Sequence, residues 1–383
     1  MEWSQRVWAM VLVYLGFLSS AMVIASSQTN PQEATSGTRA PDKRSPSSKP
    51  WSFAMSGDSR NCGDVVMPAI AAGVIHDQAS FYWHLGDLRK ISAPDEDFRQ
   101  LKIVQGKSFT IEDYEKEAWT NFIDDQIAAF GTLPFFLGIG NHETIPPKTR
   151  AEFVQKFAKW LDAPELHEQK KKDDAASAET LTTYYHWIRD GIDFINLDNA
   201  SREEFDAAQM KWLGGVIARD RGDESVRTLV VGMHEALPES ISADHSMNEW
   251  ELGQRSGRDV YQDLLKLRNG AHKRVYVLAS HSHFFMDGTF NTEYWRTHGG
   301  VLPGWIVGTA GAQRYPLPPD YKDAKEAKTN VYGYLLGTVN PPGEPAGSIR
   351  FDFKQLDEDK IPPDVVNRFT APFVHDCYAG NRR

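Results

Sequence analysis

Cysteine is nearly absent: the chain has two, Cys62 and Cys377, in 383 residues. That excludes a disulfide-rich scaffold and a Cys-rich zinc module. Excess positive charge is absent too. Lys and Arg total 42 against 52 Asp and Glu, a formal net charge of −10. Non-specific binding to nucleic acid or anionic lipid needs the opposite sign, so no nucleic-acid partner is expected. Long apolar runs are confined to the start of the chain, which excludes a multi-span membrane protein. No internal repeat is visible. What remains is ordinary for a folded protein, with 41% hydrophobic and 25% charged residues. The length allows one large domain or two small ones. Histidine (12 residues), Asp and Asn are the side chains left for metal chemistry.

Residues 1–25 read as a signal peptide: Val7 to Ala25 is almost wholly apolar, and Val23-Ile24-Ala25 before Ser26-Ser27 fits cleavage after Ala25. An uncleaved single-span anchor is the alternative, because the run approaches bilayer length. Both place the rest outside the cytoplasm, secreted or periplasmic in the first case and membrane-anchored in the second. Residues 26–50 have no aromatic, Val, Ile or Leu and read as a disordered linker that cannot offset its chain entropy. Residues 51–383 then form one catalytic domain. In an oxidising compartment Cys62 and Cys377 are candidates for a disulfide joining the loop after Asp58 to the C-terminal tail.

Within the core, short apolar runs alternate with helical periodicity. Trp51–Gly57, Ser80–His84, Pro134–Gly138, Thr228–Met233, Val275–Ala279, Trp305–Thr309, Tyr332–Val339 and Ser348–Phe353 read as strands, and Thr183–Leu197 as a hairpin turning at Asp190-Gly191. Helical spacing marks Val65–His76, Ile111–Ile127, and segments around Phe205–Val216 and Val260–Leu265. This is the rhythm of an α/β core, in which ligands gather at the carboxyl ends of the strands. Asp58, Asp87, Asn141, His142, His234, His281 and His283 all fall just past such ends. Glycines 57, 86 and 140 stand beside them and permit sharp turns. Asp and His donors together suit zinc, manganese or iron.

The blocks GDSR at 57–60, GDLR at 86–89, GNHE at 140–143, GMHE at 232–235 and SHSH at 280–283 come in an order that resembles the calcineurin-like metallophosphoesterases, which include purple acid phosphatases. The resemblance implies a four-layer α/β/β/α fold, a β-sandwich flanked by helices, with a metal site at the strand ends. It implies a hydrolase acting on a small-molecule phosphomonoester or phosphodiester, with two divalent or trivalent ions. Asp87 would bridge them, Asp58 and His283 would hold the first, and Asn141, His234 and His281 the second. A pair of ions ~3.5–4 Å apart clamps a phosphoryl group and its attacking water. His142 would protonate the leaving oxygen, with Glu143 or another carboxylate orienting it.

Two positions depart from the family pattern. Arg60 stands where the first block carries a second histidine; a guanidinium has no lone pair to give a metal. The first ion is then weak, absent, or completed by water or Asn61, and Arg60 either binds phosphate oxygens, or points to solvent or pairs with a carboxylate. Lys90 stands where purple acid phosphatases carry an iron-binding Tyr, so a purple ferric site is not expected. Residues 89–110, with Lys90, Arg99, Lys102 and Lys107, read as a solvated insertion, and 168–179 as an exposed charged loop. Asp198 reads as a turn carboxylate or a neighbour of the site, and His84 as core or a neighbour of the site. His76, His167, His186, His245, His272, His298 and His375 read as structural or exposed. Two rival functions are kept: a non-catalytic binding protein on the same fold, and a serine esterase using Ser59 of the GDS block, which lacks the Asp-x-x-His that would activate it.

Overall fold

The computed structural model describes residues 49–383, apart from 177 and 201–203. The signal segment and nearly all of the linker expected at the N-terminus lie outside the described residues. Twelve strands are found among them: β1 Trp51–Ser56, β2 Ala79–His84, β3 Phe135–Leu137, β4 Tyr185–Arg189, β5 Ile192–Asn196, β6 Thr228–Gly232, β7 Arg274–Ala279, β8 Phe285–Asp287, β9 Gly304–Val307, β10 Glu326–Lys328, β11 Tyr332–Val339 and β12 Ile349–Leu356. One sheet has the order β12-β11-β1-β2-β3 and the other β10-β8-β9-β7-β6-β5-β4. In the first, β1, β2 and β3 run parallel. In the second, β5, β6, β7 and β9 run parallel.

The sheets face one another through aromatic rings set two residues apart along each strand. Phe53 and Phe81 stack at 5.2 Å, and Phe194 of the other sheet meets both edge-on at 4.9 and 5.2 Å. Phe136 stacks on Trp187 at 4.1 Å. Burying each such side chain is worth about 1.5–3 kcal/mol, so this interlayer dominates cohesion. A cross-sheet bond from Trp83 Nε1 to Asn196 Oδ1 (3.0 Å) satisfies the indole there.

Alternation explains the outer layers. In β6 and β7, Val230 and Leu278 belong to the interlayer core. Leu229, Val231, Val275 and Val277 point the other way, to a second core with Leu213, Val216, Val260 and Leu264. Those last four lie on helices Ala207–Gly222 and Glu251–Ala271. On the far side, helix Gly63–His76 buries Val65, Val66, Ile70 and Val74. The result is the expected α/β/β/α layering.

Three expectations need correcting. Residues 89–110 are not a solvated insertion: Glu96–Val104 is a helix, and Arg89 is fully buried, 2.6 Å from Asp64 and 3.3 Å from Asp97. Mixed charge, which usually marks a surface, here compensates itself inside. Residues 168–179 begin as helix Pro164–Asp173, whose Asp173 pairs with His186 at 2.5 Å. The helix expected over 111–127 ends at Asn121 and continues as one wide turn, Phe122–Ile127. That turn lets Gln126 donate to Asp64 Oδ1 (2.8 Å) and the Ser59 carbonyl (3.3 Å).

Candidate metal centre

Parallel pairing puts the carboxyl ends of β1, β2 and β3 beside those of β6, β7 and β9. The loops leaving them converge. Gly86 (φ +98°) packs its backbone on Gly140; a Cβ at Gly86 would lie 2.5 Å from Gly140 N, and one at Gly140 would lie 2.3 Å from Asp87 Oδ1. This close approach carries Asp87 and Asn141 to one point. Asp58 (φ 62°), Asp87 (φ 59°) and His281 (φ 63°) all hold left-handed backbone. Such conformations cost a non-glycine residue about 1 kcal/mol each and cluster at functional sites.

Two groups of side chains share Asp87. The first is Asp87, His234 and His281; the second is Asp58, Asp87 and His283, and in each the candidate ligand atoms lie within 4.8 Å of one another. In the first group His234 Nε2 lies 3.3 Å from Asp87 Oδ1, 3.0 Å from Asn141 Oδ1 and 3.0 Å from His281 Nδ1. Nδ1 of His234 lies 3.0 Å from the Leu85 carbonyl, an acceptor only, so it carries the proton and Nε2 points its lone pair inward. Asn141, His142 and His281 are the least enclosed members, so the group opens to solvent on their side.

In the second group Asp58 Oδ1 is 3.2 Å from His283 Nε2, while Oδ2 accepts the His281 backbone N–H at 2.7 Å. His283 Nδ1 lies 2.6 Å from the Gln313 carbonyl, so it too is the protonated nitrogen. Arg60 reaches into this group. Its Nη2 donates to His283 Nε2 at 2.9 Å, and its Nε is 3.3 Å from Asp87 Oδ2. Arg60 therefore pairs with a carboxylate rather than facing solvent. Asn61 turns away, donating Nδ2 to Glu96 (2.6 Å) and accepting from Gln313 N (3.2 Å), so it cannot complete the first ion's shell.

The electrostatics ask for positive charge. Burial alone would raise the Asp87 carboxyl, but His234, His142 and Arg60 outweigh it and hold it well below the usual range. Burial opposes charging His234, yet Asp87 overrides it and raises the imidazole to about 10, so Nε2 calls for positive charge beside Asp87, whether a proton or a metal ion. Asp58 Oδ1 and Asp87 Oδ2 are buried and accept no hydrogen bond. Buried carboxylate oxygens with no full hydrogen bond, met only by the Arg60 guanidinium and by imidazole nitrogens, fit a site that takes positive charge.

His142 sits at the rim. Its Nδ1 lies 2.5 Å from the Lys90 carbonyl and its Nε2 3.8 Å from Asp87 Oδ2. Burial lowers its pKa from the ordinary histidine value, partly against the pull of Asp87. Glu143 does not orient it. The Glu143 carboxylate instead accepts backbone N–H groups of Asp87, Leu88 and Gly140 at 2.8–2.9 Å. Lys90 projects away, its Nζ 3.6 Å from Glu96.

Ser59 and His84 look like a nucleophile and base but are polarised the wrong way. His84 Nδ1 accepts the Gly86 N–H, so its Nε2, 3.0 Å from Ser59 Oγ, carries the proton and donates. Ser59 is fully buried, and burial drops His84 to about 3. This arrangement does not supply the activated serine that the serine-esterase alternative requires. Asp198 is a structural carboxylate, taking Arg150 Nε (2.9 Å) and Thr183 Oγ1 (2.5 Å).

Two residues near the site have no signal in their local sequence. His245, expected to be structural, lies 5.6 Å from His281 and 5.0 Å from Tyr315, ring to ring. Tyr315 stacks on His283 at 4.0 Å. Both come from loops that only the fold brings to the strand ends.

No family model matches the sequence, and no curated protein does. Among solved structures, the purple acid phosphatase PPD1 from seeds of yellow lupin (Lupinus luteus) superposes with a TM-score of 0.51 at 15% identity, covering 80% of this chain and 52% of that one. The chain has the metallophosphoesterase fold. It spans about half the length of the lupin structure. A dimetal phosphatase from Danio rerio gives a TM-score of 0.47 at 11% identity (80% and 95% covered). GAP50, described as the anchor in the inner membrane complex of Plasmodium, gives 0.45 at 11% identity (87% and 96% covered).

The disulfide between Cys62 and Cys377 is present, with their Cα atoms 6.0 Å apart. Among the described residues no helix is long and apolar enough to cross a membrane.

Proposed function

We propose that this chain is an exported, metal-dependent phosphoester hydrolase. One observation carries the proposal: Asp87 is shared by two carboxylate–histidine groups whose ligand atoms face each other at the strand ends of a metallophosphoesterase fold. Asp87, Asn141, His234 and His281 would hold one ion, and Asp58, Asp87 and His283 surround the other position. A bound ion supplies Lewis-acid charge and lowers the pKa of the attacking water.

The chain's own groups do the rest. Asp58 and Asp87 favour their charged forms, since the neighbouring histidines, and for Asp87 also Arg60, hold both carboxyls below the usual range against the effect of burial. His142 is the proton donor. Its Nδ1–H is fixed on the Lys90 carbonyl, so Nε2 is the atom aimed across the site. In its imidazolium form, with Nδ1–H still on the Lys90 carbonyl, His142 gives the Nε2 proton to the leaving oxygen as the bond from phosphorus breaks, and is left as the neutral Nδ1–H imidazole. The Arg60 guanidinium lies among the same carboxylates and adds fixed positive charge where phosphoryl oxygens gather. The Cys62–Cys377 disulfide supports an oxidising compartment, which accords with export.

The test is metal analysis joined to a turnover screen of phosphomonoesters and diesters with several metals added back. The wild type should bind metal and hydrolyse at least one ester class, and Asp87→Asn should lose both together. A folded wild type that stays metal-free and inert, or a His234→Ala variant as active as wild type, defeats the proposal.

A further inference from the structure

We infer that the chain seats a single metal ion, in the Asp87–Asn141–His234–His281 group, and that the Arg60 guanidinium is a built-in cation occupying the Asp58–Asp87–His283 position. The inference rests on the phosphoesterase function proposed for this site and specifies its charge.

The two positions differ in what their lone pairs meet. Around His234 Nε2, the acceptors Asn141 Oδ1 (3.0 Å), His281 Nδ1 (3.0 Å) and Asp87 Oδ1 (3.3 Å) converge. Among the described residues, the guanidinium paired with this group's Asp87 is that of Arg60, and it meets Oδ2 rather than the Oδ1 that faces His234. Lone pairs that face one another this closely repel unless a proton or a metal ion lies between them, and this group is the one left open to take a metal.

Around His283 the cation is already present. Nδ1 is used on the Gln313 carbonyl at 2.6 Å. That leaves one lone pair, on Nε2, and Arg60 Nη2 donates to it at 2.9 Å. The same guanidinium places Nε 3.3 Å from Asp87 Oδ2, the oxygen not facing His234. A metal in this position would need the His283 and Asp87 atoms that Arg60 occupies. It would also place two positive charges on the same carboxylates, and a guanidinium cannot relieve that by giving up its proton.

The guanidinium cannot easily swing out, because its loop is pinned on both sides. Ser59 Oγ receives His84 Nε2–H at 3.0 Å, and the Asn61 N–H donates to Asp95 Oδ1 at 2.7 Å. Cys62 is then held twice, by its disulfide to Cys377 and by its N–H on the Gly311 carbonyl at 3.1 Å. Arg60 itself is only 9% exposed. The outcome is a site with one exchangeable cation and one that no chelator can remove.

Counting ions tests this without reference to turnover. The full chain would be loaded with manganese or zinc, freed of excess metal, and measured by elemental analysis and native mass spectrometry. The expected result is one ion per chain in the wild type and two in Arg60→His, which supplies an imidazole where the guanidinium was. If Arg60→His does not fold, Asp58→Asn decides. Asp58 Oδ1 faces only the guanidinium position, and an asparagine whose carbonyl oxygen keeps the His281 N–H leaves the other group in place, so this variant should keep the wild-type ion. Two ions in the wild type, or loss of an ion in Asp58→Asn, would overturn the inference while leaving the phosphoesterase function standing. No ion in any variant would instead defeat that function, and the inference with it.

Discussion

The Glu143 carboxylate accepts the backbone N–H of Asp87 at 2.9 Å, and with it those of Leu88 and Gly140. Glu143 thus clamps the loop after β2 to the loop after β3, and sets the position of Asp87 without facing the site itself. Glu143→Gln would present an amide N–H to a backbone donor and leave at least one buried N–H unpaired. The expected cost is about 1–3 kcal/mol in urea unfolding. Metal affinity should fall roughly 10–100-fold, as when groups supporting a ligand are removed. Unchanged affinity in a metal titration would show that Asp87 needs no such clamp.

His142→Ala should keep its metal and its melting temperature but lose kcat. General acid catalysis contributes ~10²–10⁴-fold, so the loss should approach that for esters with basic leaving groups and shrink for good ones. A leaving-group series with steady-state kinetics reads this directly. A uniform loss across the series would mean that His142 positions substrate rather than donating a proton.

Reducing the Cys62–Cys377 disulfide, or Cys377→Ser, should lower stability by about 2–5 kcal/mol, since the bridge closes a loop across a separation of 315 residues. Urea unfolding with and without reductant measures it. An unchanged midpoint would show that the network around Arg314, whose guanidinium donates to the Cys377 and Tyr378 carbonyls, already holds the segment.

His186 provides a pH test away from the metal centre. Its Nδ1 is 2.8 Å from Asp193 and its Nε2 2.5 Å from Asp173. Burial opposes its charge, but Asp193 and Asp173 together raise it to about 9. A raised folded-state pKa favours the folded form fully below the unfolded value of about 6.5, and that gain is lost as pH rises through about 9. Stability should therefore fall between these limits by up to about 3 kcal/mol. His186→Phe should be less stable at pH 6 and show a shallower slope than the wild type across the interval, where Asp220, raised to about 8 by burial and Asp193, still contributes. A wild type with no slope there would mean that His186 is neutral.

The strand-end residues were legible because each is preceded by an apolar run and, in several cases, a glycine. The parallel order of β1–β2–β3 and β6–β7 turns that repetition in sequence into convergence in space. Arg60 was legible as a departure, but not as an occupant of the site, since only the fold shows it reaching His283. His245 and Tyr315 left no trace, because their loops have neither periodicity nor motif. Arg89 was misplaced because a segment rich in both charges looks solvated when its partners Asp64 and Asp97 cannot be seen to enclose it. The three-residue strands β8 and β10 are too short for alternation to register, and the helices Pro363–Phe369 and Ala371–Ala379 were not anticipated.

Strand β1, which delivers Asp58, is bordered on one side by β11, more than 270 residues later in the chain. A polypeptide emerging from its ribosome or translocation pore therefore carries the amino-terminal half of the centre unsupported for most of synthesis. The last fastening of the loop bearing Arg60, its disulfide, waits for Cys377. Assembly of the charged pocket is thus a late event, and premature truncation would leave a chain that has every ligand yet cannot arrange them.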